Sequence, residues 1–265
     1  MRWTTGSLAF AMTMGATAIG AAPLVPHEAV YELTLASQTD QLVAVDARIA
    51  MQLKQESCDL YDLDYRFVAR FSQESEMILT DQRTLATESI AGDRFDFETK
   101  TFVDGDEQKT VSGTAANTVE ETEVTMTAPV ARNFSLPLAR FPLQHTARLI
   151  EDGRAGRRIV ETRLFDGDEN AEKDLTTTAV ILPEPDDAAG RPELAGLRSW
   201  RIDESYFNDE SDVDGMPIFR TRYTLYENGV TDALYLDFGD YALEGRLSRL
   251  EFYEPPNSCA PATGQ

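Results

Sequence analysis

His27, His145, Cys58 and Cys259 are the only imidazoles and thiols in the chain. Any Ser-His-Asp arrangement would therefore have to use one of the two histidines. His27 follows Pro26 near the N-terminus and reads as a terminal-strand residue that packs or hydrogen-bonds locally. His145, flanked by Gln144 and Thr146, reads as a structural hydrogen-bonding residue on a helix. No G-x-S-x-G turn offers either of them a nucleophile, and neither has a second metal ligand three or four residues on. Asp166, Asp168 and Asn170 match the opening of a calcium loop, but Ala171 stands where the turn glycine belongs and Thr177 where the closing Glu belongs. Glu210, Asp212, Asp214 and Gly215 open a better match, which Thr221 fails to close. Both runs read as hairpin tips, where Asp, Asn and Gly favour turns. Phosphate-cradling glycine loops are absent. The prediction is thus no catalytic, cofactor-binding or metal-binding residue and no cofactor. The alternative is a hydrolase working through carboxylates or His145, because 46 acidic residues leave paired-carboxylate chemistry open.

The cysteines and the N-terminus define the compartment. Met1, Arg2 and Trp3 precede a mildly apolar stretch from Leu8 to Ile19 and small residues around Ala18, Gly20 and Ala21. This is the layout of an export signal over residues 1–21, with cleavage placed within residues 20 to 22. The stretch is too short and too interrupted for a spanning helix, which needs about 20 apolar residues. An exported chain with two cysteines predicts a Cys58–Cys259 disulfide, which in the chain-entropy model restrains the unfolded chain by about 5 kcal/mol. The competing reading, a reactive or metal-binding thiol, lacks a basic neighbour: Asp59 follows Cys58, and Ser258 and Pro261 flank Cys259. The net charge of −22 on a background that is 42% hydrophobic and 26% charged describes an acidic but foldable chain. It argues against nucleic acid or an anionic membrane surface as the main partner.

The dominant period is two. Tyr65, Phe67, Ala69 and Phe71 alternate with Asp64, Arg66 and Arg70, as in a half-buried strand, and similar runs pass through Tyr31, Phe95, Val119–Met126 and Arg158–Phe165. Asn228-Gly229 between two such runs predicts a two-residue hairpin turn, and Gly239-Asp240 predicts another turn. One helix is predicted, from Pro142 at its first position to Gly153 as its stop, carrying Leu143, Ala147 and Ile150 on one face. Pro183 to Pro192 reads as a loop. The fold class is all-β, a single domain over residues 22–265. The aromatic strand faces read mainly as core. If the sheet curls and its concave side is incompletely filled, they would line an apolar pocket for an acyl chain or peptide.

Several strings together resemble the cell envelope integrity protein EipB family of alphaproteobacteria. They include Leu24-Val25-Pro26-His27-Glu28-Ala29-Val30-Tyr31, Phe141-Pro142-Leu143-Gln144-His145 and Phe165-Asp166-Gly167 followed by Thr177-Thr178-Ala179-Val180-Ile181. Further matches are Ser205-Tyr206-Phe207, Leu225-Tyr226-Glu227-Asn228-Gly229-Val230 and Leu236-Asp237-Phe238-Gly239-Asp240-Tyr241. The resemblance implies a periplasmic protein without established catalysis, folded as one strongly bent antiparallel sheet, a β-spiral, similar to the periplasmic lipoprotein carriers. It implies a disulfide at the positions of Cys58 and Cys259, and a periplasmic helical-repeat protein as partner, for which no contact residue is assigned. The acidic stretches Glu184–Asp187 and Asp209–Asp214 depart from the family pattern and put any partner surface near them in doubt. Non-enzymatic binding of that partner, or of an apolar lipid or peptide, is the resulting expectation.

Overall fold

The computed structural model describes residues 24–37, 39, 42–168, 175–185, 190–208 and 215–254. Eight strands come first: β1 (His27–Leu35), β2 (Ala44–Lys54), β3 (Leu60–Ser72), β4 (Met77–Ser89), β5 (Arg94–Val103), β6 (Asp106–Asn117), β7 (Glu121–Ala128) and β8 (Arg132–Pro137). The helix α1 (Pro142–Arg154) follows. Six more strands follow among the described residues: β9 (Ile159–Leu164), β10 (Leu175–Pro183), β11 (Ser199–Phe207), β12 (Phe219–Tyr226), β13 (Thr231–Asp237) and β14 (Ala242–Phe252). Pro192–Leu194 forms a single 3-10 turn.

All 14 strands belong to one sheet, in the order β8 to β1, then β14 down to β9. Two meanders are thus joined at a single seam, where β1 runs antiparallel to β14 from His27 opposite Phe252 to Leu35 opposite Leu243. The far edges, β8 and β9, approach one another through the segment between β8 and α1. There the Arg140 N–H donates to the Arg163 carbonyl and the Phe165 N–H donates to the Arg140 carbonyl, both at 2.9 Å. The all-β class and the one α-helix among the described residues are what the period-two pattern and the helix signals predicted, and the single antiparallel sheet is what the family resemblance implied.

Alternation puts one face of each strand inside. At the seam Ala29, Tyr31, Leu33, Val45, Leu243 and Leu247 are buried together. A second cluster forms where α1 lies on the sheet: Ala147, Leu149 and Ile150 pack with Ile181, Trp200 and Ile202. In the third, the rings of Phe95, Phe97, Phe141 and Phe165 meet at 5.3 to 6.4 Å, stacked or edge-on, as aromatic quadrupoles prefer.

Two local expectations need correction. The helix does not stop at Gly153: it runs to Arg154, and Gly156, at φ 76°, takes the left-handed position after it. Gly153 serves close packing, since a Cβ there would stand 2.7 Å from the Trp200 ring. Helix propensity alone would make Gly153→Ala stabilising by about 1 kcal/mol. Because overpacking against a rigid indole costs about 1–3 kcal/mol, the net expected result is loss of stability, read as a lower urea midpoint at unchanged slope. The Asn228-Gly229 turn also differs. Only Gly229 takes positive φ, at 93°; its N–H bonds the Tyr226 carbonyl, and the Tyr226 N–H bonds the Val230 carbonyl, both at 2.9 Å. The loop is therefore three residues long, a turn closed by a left-handed glycine. Asn228 instead spends its side-chain oxygen on the Val230 N–H.

Cys58, in the turn before β3, is not a free thiol. Cys259, the export segment and most of the acidic stretches at 184–187 and 209–214 lie outside the described residues.

Candidate functional site

The side chains best placed for function lie between α1 and the inner face of β9–β12. On β11, alternation sends Trp200, Ile202, Glu204 and Tyr206 to the same side, and all but the acid fit an apolar face. Register sets Tyr206 opposite Phe219 and Ile202 opposite Tyr223 on β12, and Tyr206 opposite Thr177 on β10. Above them, α1 presents His145.

The helix is held at its start by a group distant in sequence and at its end by local ion pairs. Its first residues have no cap of their own, Phe141 being the N-cap residue and Pro142 the first helical position. The cap is Glu88 of β4, which accepts from the Leu143 N–H at 2.8 Å and the Gln144 N–H at 2.6 Å. A carboxylate there satisfies two orphan donors and meets the positive end of the helix dipole. Burial pushes the Glu88 carboxyl up to about 7, while the two N–H groups pull it down. At the other end buried Asp152 takes Arg148 at 3.1 Å and also pairs with Arg157.

So fixed, His145 sits 5% exposed with Nε2 2.6 Å from Glu204 Oε1. Glu204, 2% exposed, also accepts from Thr177 Oγ1 at 2.7 Å and from the Tyr223 hydroxyl at 3.1 Å. Burial alone would raise its carboxyl, but the hydrogen bond and charge of His145, then Thr177 and Tyr223, outweigh it and hold Glu204 below the usual carboxylate range. An ionised Glu204 needs His145 Nε2 to carry the proton. His145 Nδ1 is buried and has no hydrogen-bond partner.

The pair lines a cavity of about 510 Å³ together with Leu164, Phe165, Asp166, Tyr206 and Phe219, within the roughly 300–1,000 Å³ of small-molecule pockets. Asp166 stands exposed on the wall, with its carboxylate accepting from the Asp168 N–H at 3.1 Å. The loop is fixed from below: Gly167, at φ 74°, lies so close to Phe97 that a Cβ would meet the ring at 2.6 Å. From the cavity an aromatic ladder leads outward. Tyr206 meets Phe219 at 5.5 Å, Phe219 meets Phe238 at 4.9 Å, Phe238 stacks on Tyr241 at 4.9 Å, and Tyr241 meets Phe71 of β3 at 5.6 Å. Phe238, midway along it, remains 38% exposed, and Ile218 on the cavity wall 42%.

His27, by contrast, is buried beside Val25 and Phe252, with Nδ1 2.7 Å from the Val25 carbonyl. Burial lowers its pKa. It is far from the cavity in role, holding the start of β1. Asp166 and Asp168 of the calcium-like run line the cavity, while Asn170, Glu210, Asp212 and Asp214 lie outside the described residues. Among the described residues no group of three or more His, Cys, Asp or Glu could hold a metal, and no helix is long and apolar enough to cross a membrane. The residue that sequence reasoning missed is Glu204. Its available signal was an acid at an inward position of an otherwise apolar strand face.

A barrel-like antiparallel sheet enclosing an aromatic cavity under one helix defines the class. A family model described as EipB-like matches residues 18–254. The chain is 34% identical over 246 residues to the cell envelope integrity protein EipB of Brucella abortus (strain 2308), covering 90% of this chain and 88% of that protein. It superposes with TM-score 0.83 on the crystal structure of a β-barrel-like protein, a domain of unknown function, from Brucella abortus, at 32% identity, covering 88% of this chain and all of the other. The chain belongs to the EipB-like family.

Proposed function

We propose that the chain is a non-enzymatic periplasmic protein that supports the cell envelope by holding an apolar or amphipathic ligand inside its wound sheet, a β-spiral. Residues 1–21 would direct export and residues 22–265 would form the single domain. The observation that carries the reading is the aromatic cavity between α1 and β9–β12, continued by the ladder to Phe71. The name of the Brucella relative supports the envelope role. A periplasmic helical-repeat protein, taken from the family resemblance, is the proposed protein partner, to be sought by co-purification. Protein purified from native cells is expected to carry an extractable amphiphile or, once stripped, to brighten a hydrophobic fluorescent probe. Phe219→Asp should weaken that binding by about tenfold or more, the equivalent of 1.4 kcal/mol. No bound amphiphile and no probe binding would end this reading.

One observation favours the hydrolase alternative: a buried carboxylate orienting an imidazole is also how a general base is built. Against it, no hydroxyl or thiol lies within hydrogen-bond distance of His145 Nδ1 among the described residues. The Cys58–Cys259 bond belongs to the same proposal. Gel mobility should differ with and without reductant, and Cys58→Ser should cost about 2–5 kcal/mol of stability. Two reactive thiols in the native protein would contradict it.

A further inference from the structure

On another face of α1, away from the aromatic cavity, the local charge is reversed. Residues 132–163 hold seven arginines and three acids, a net charge of +4 inside a chain of −22. Gln144, Arg148 and Glu151 follow one another at four and three residues, so they share a stripe of the helix. That stripe lines a cavity of about 890 Å³ against the β2–β3 and β4–β5 turns, whereas His145 and Thr146 line the aromatic one. Leu60 and Ile90 supply apolar wall to this second cavity, and Arg140 joins Arg148 in supplying positive charge. A neighbouring cavity of about 460 Å³ shares Arg140 and Gln144, so these two side chains stand where the spaces adjoin.

Arg140 is the member that stands apart. Its backbone is fixed, because its N–H and carbonyl make the two bonds that bring the sheet edges together. Its side chain is half-buried, yet it makes no hydrogen bond or ion pair among the described residues. The other half-buried arginines there are engaged: Arg148 by Glu151 and Asp152, Arg191 by Glu193, and Arg132 and Arg163 by partners of their own. With 46 acids for 24 bases in the chain, a half-buried guanidinium without a carboxylate runs against the composition. Of the acids lining the cavity, Glu151 faces Arg148 at 3.5 Å, Asp93 accepts from Ser89 Oγ at 2.6 Å, and Asp59 stands exposed. Desolvation, then repulsion by Arg148, lowers the pKa of Arg140 against the pull of Asp152 and Glu151. A guanidinium does not give up its proton in a protein, so what can compensate this charge is an arriving anion.

We propose that this second cavity is an anion site whose ligand class is a phosphate monoester, its oxygens held by the forks of Arg140 and Arg148 and its organic body lying against Leu60 and Ile90. A planar guanidinium matches phosphate and carboxylate alike. A phosphate monoester, however, brings three oxygens and close to two negative charges, enough to face both arginines, whereas a carboxylate is satisfied by one. The site is a different space from the aromatic cavity and goes beyond the apolar-ligand reading, so either can fail without the other. The phosphate could sit on a soluble ester or on a lipid. The overall negative charge, which repels an anionic surface, favours the soluble ester.

Phenyl phosphate, inorganic phosphate and benzoate are titrated calorimetrically into the purified full-length protein in a phosphate-free buffer of low ionic strength. Vesicles of phosphatidylcholine, with and without phosphatidic acid, are tested by co-sedimentation. Phenyl phosphate should bind tightest, at least about tenfold tighter than benzoate, and inorganic phosphate should bind more weakly than the ester because it lacks the organic body. Arg140→Gln should weaken phenyl phosphate by about tenfold or more. Arg246→Gln on the exposed side of β14, the same change in net charge, should weaken it by less than about twofold. Arg140→Lys, which keeps the charge and loses the fork, should fall between them, and it carries the test if Arg140→Gln does not fold. Bound phenyl phosphate should also raise the thermal midpoint of the unaltered protein and not that of Arg140→Gln. Benzoate binding as tightly as phenyl phosphate, or equal losses from Arg140→Gln and Arg246→Gln, would overturn the assignment, as would failure of every soluble probe and both vesicles to bind. Phosphatidic-acid vesicles that bind through Arg140 while phenyl phosphate does not would keep the phosphate chemistry and move its source to a lipid.

Discussion

Glu204→Ala is expected to destabilise the protein by about 3–5 kcal/mol, the range for removing one partner of a buried ion pair. Three donors converge on this carboxylate, so the substitution leaves His145 Nε2, Thr177 Oγ1 and the Tyr223 hydroxyl without their shared acceptor in a site that water does not freely reach. At about 2–4 °C per kcal/mol for a domain of this size, the thermal midpoint should fall by roughly 10 °C. The partner experiment makes the cause visible. Glu204→Leu with His145→Leu removes charge and partner together, and apolar replacement of a buried pair is often near neutral. The double variant should therefore recover the share of the Glu204→Leu loss that belongs to His145, while the share of Thr177 and Tyr223 remains. Losses from the two single variants that simply add, measured by urea unfolding, would show that the groups do not act as a pair.

Glu88→Ala is the second large effect, and it depends on pH. The substitution strips the acceptor from two N–H groups at the start of α1, each costing about 1–3 kcal/mol when left unpaired in the interior. Against this stands the cost of the buried charge. The folded-state pKa of Glu88 is raised from 4.5 to about 7, so the folded chain holds this proton more tightly than the unfolded one. The associated stability is complete below the unfolded value and is lost as pH rises through about 7; integrated over that shift it is on the order of 3 kcal/mol. The deficit of Glu88→Ala should thus be largest near pH 5, at about 2–4 kcal/mol, and should shrink by pH 8. Glu88→Gln, which cannot titrate, should flatten the same slope while keeping an acceptor. A deficit that grows with pH would mean that the helix end stabilises the anion more than burial opposes it. Because Glu88 seats the turn that carries His145, ligand binding should weaken alongside stability.

Much of this fold was legible because its period is two from one end to the other. Tyr65, Phe67, Ala69 and Phe71 lie on β3 as their alternation required, and Pro142 opens the helix at the position its missing N–H permits. The seam between β1 and β14 was not legible. Nothing in a strand's own pattern says which of fourteen will be its neighbour, and Tyr31 meets Thr231 across 200 residues of chain. The site shows the same division. His145 could be assigned to a helix and to a hydrogen bond, but its acceptor lies 59 residues away, and the group that caps its helix precedes Leu143 by 55. The acid at position 204 reads as one more charge on an acidic chain until the register of β10, β11 and β12 turns it inward. The Asn228-Gly229 turn was misjudged for a smaller reason: one positive φ, at Gly229, closes the loop, and Asn228 serves better as a side-chain acceptor.

The joining of two meanders at a central seam also says something about the order in which the molecule can be made. Every other strand finds its partner in the adjacent stretch of chain, so each emerging strand except β9, which waits for β10, can zip onto the one before it. β1 alone has one edge that must wait for the final strand to arrive. During that interval a ribbon edge carrying Ala29, Tyr31 and Leu33 stands bare, and an unpaired strand of this kind is the natural template for the wrong neighbour. A copy truncated before β14 should therefore clump readily, seen as light scattering at a concentration where the full chain stays clear.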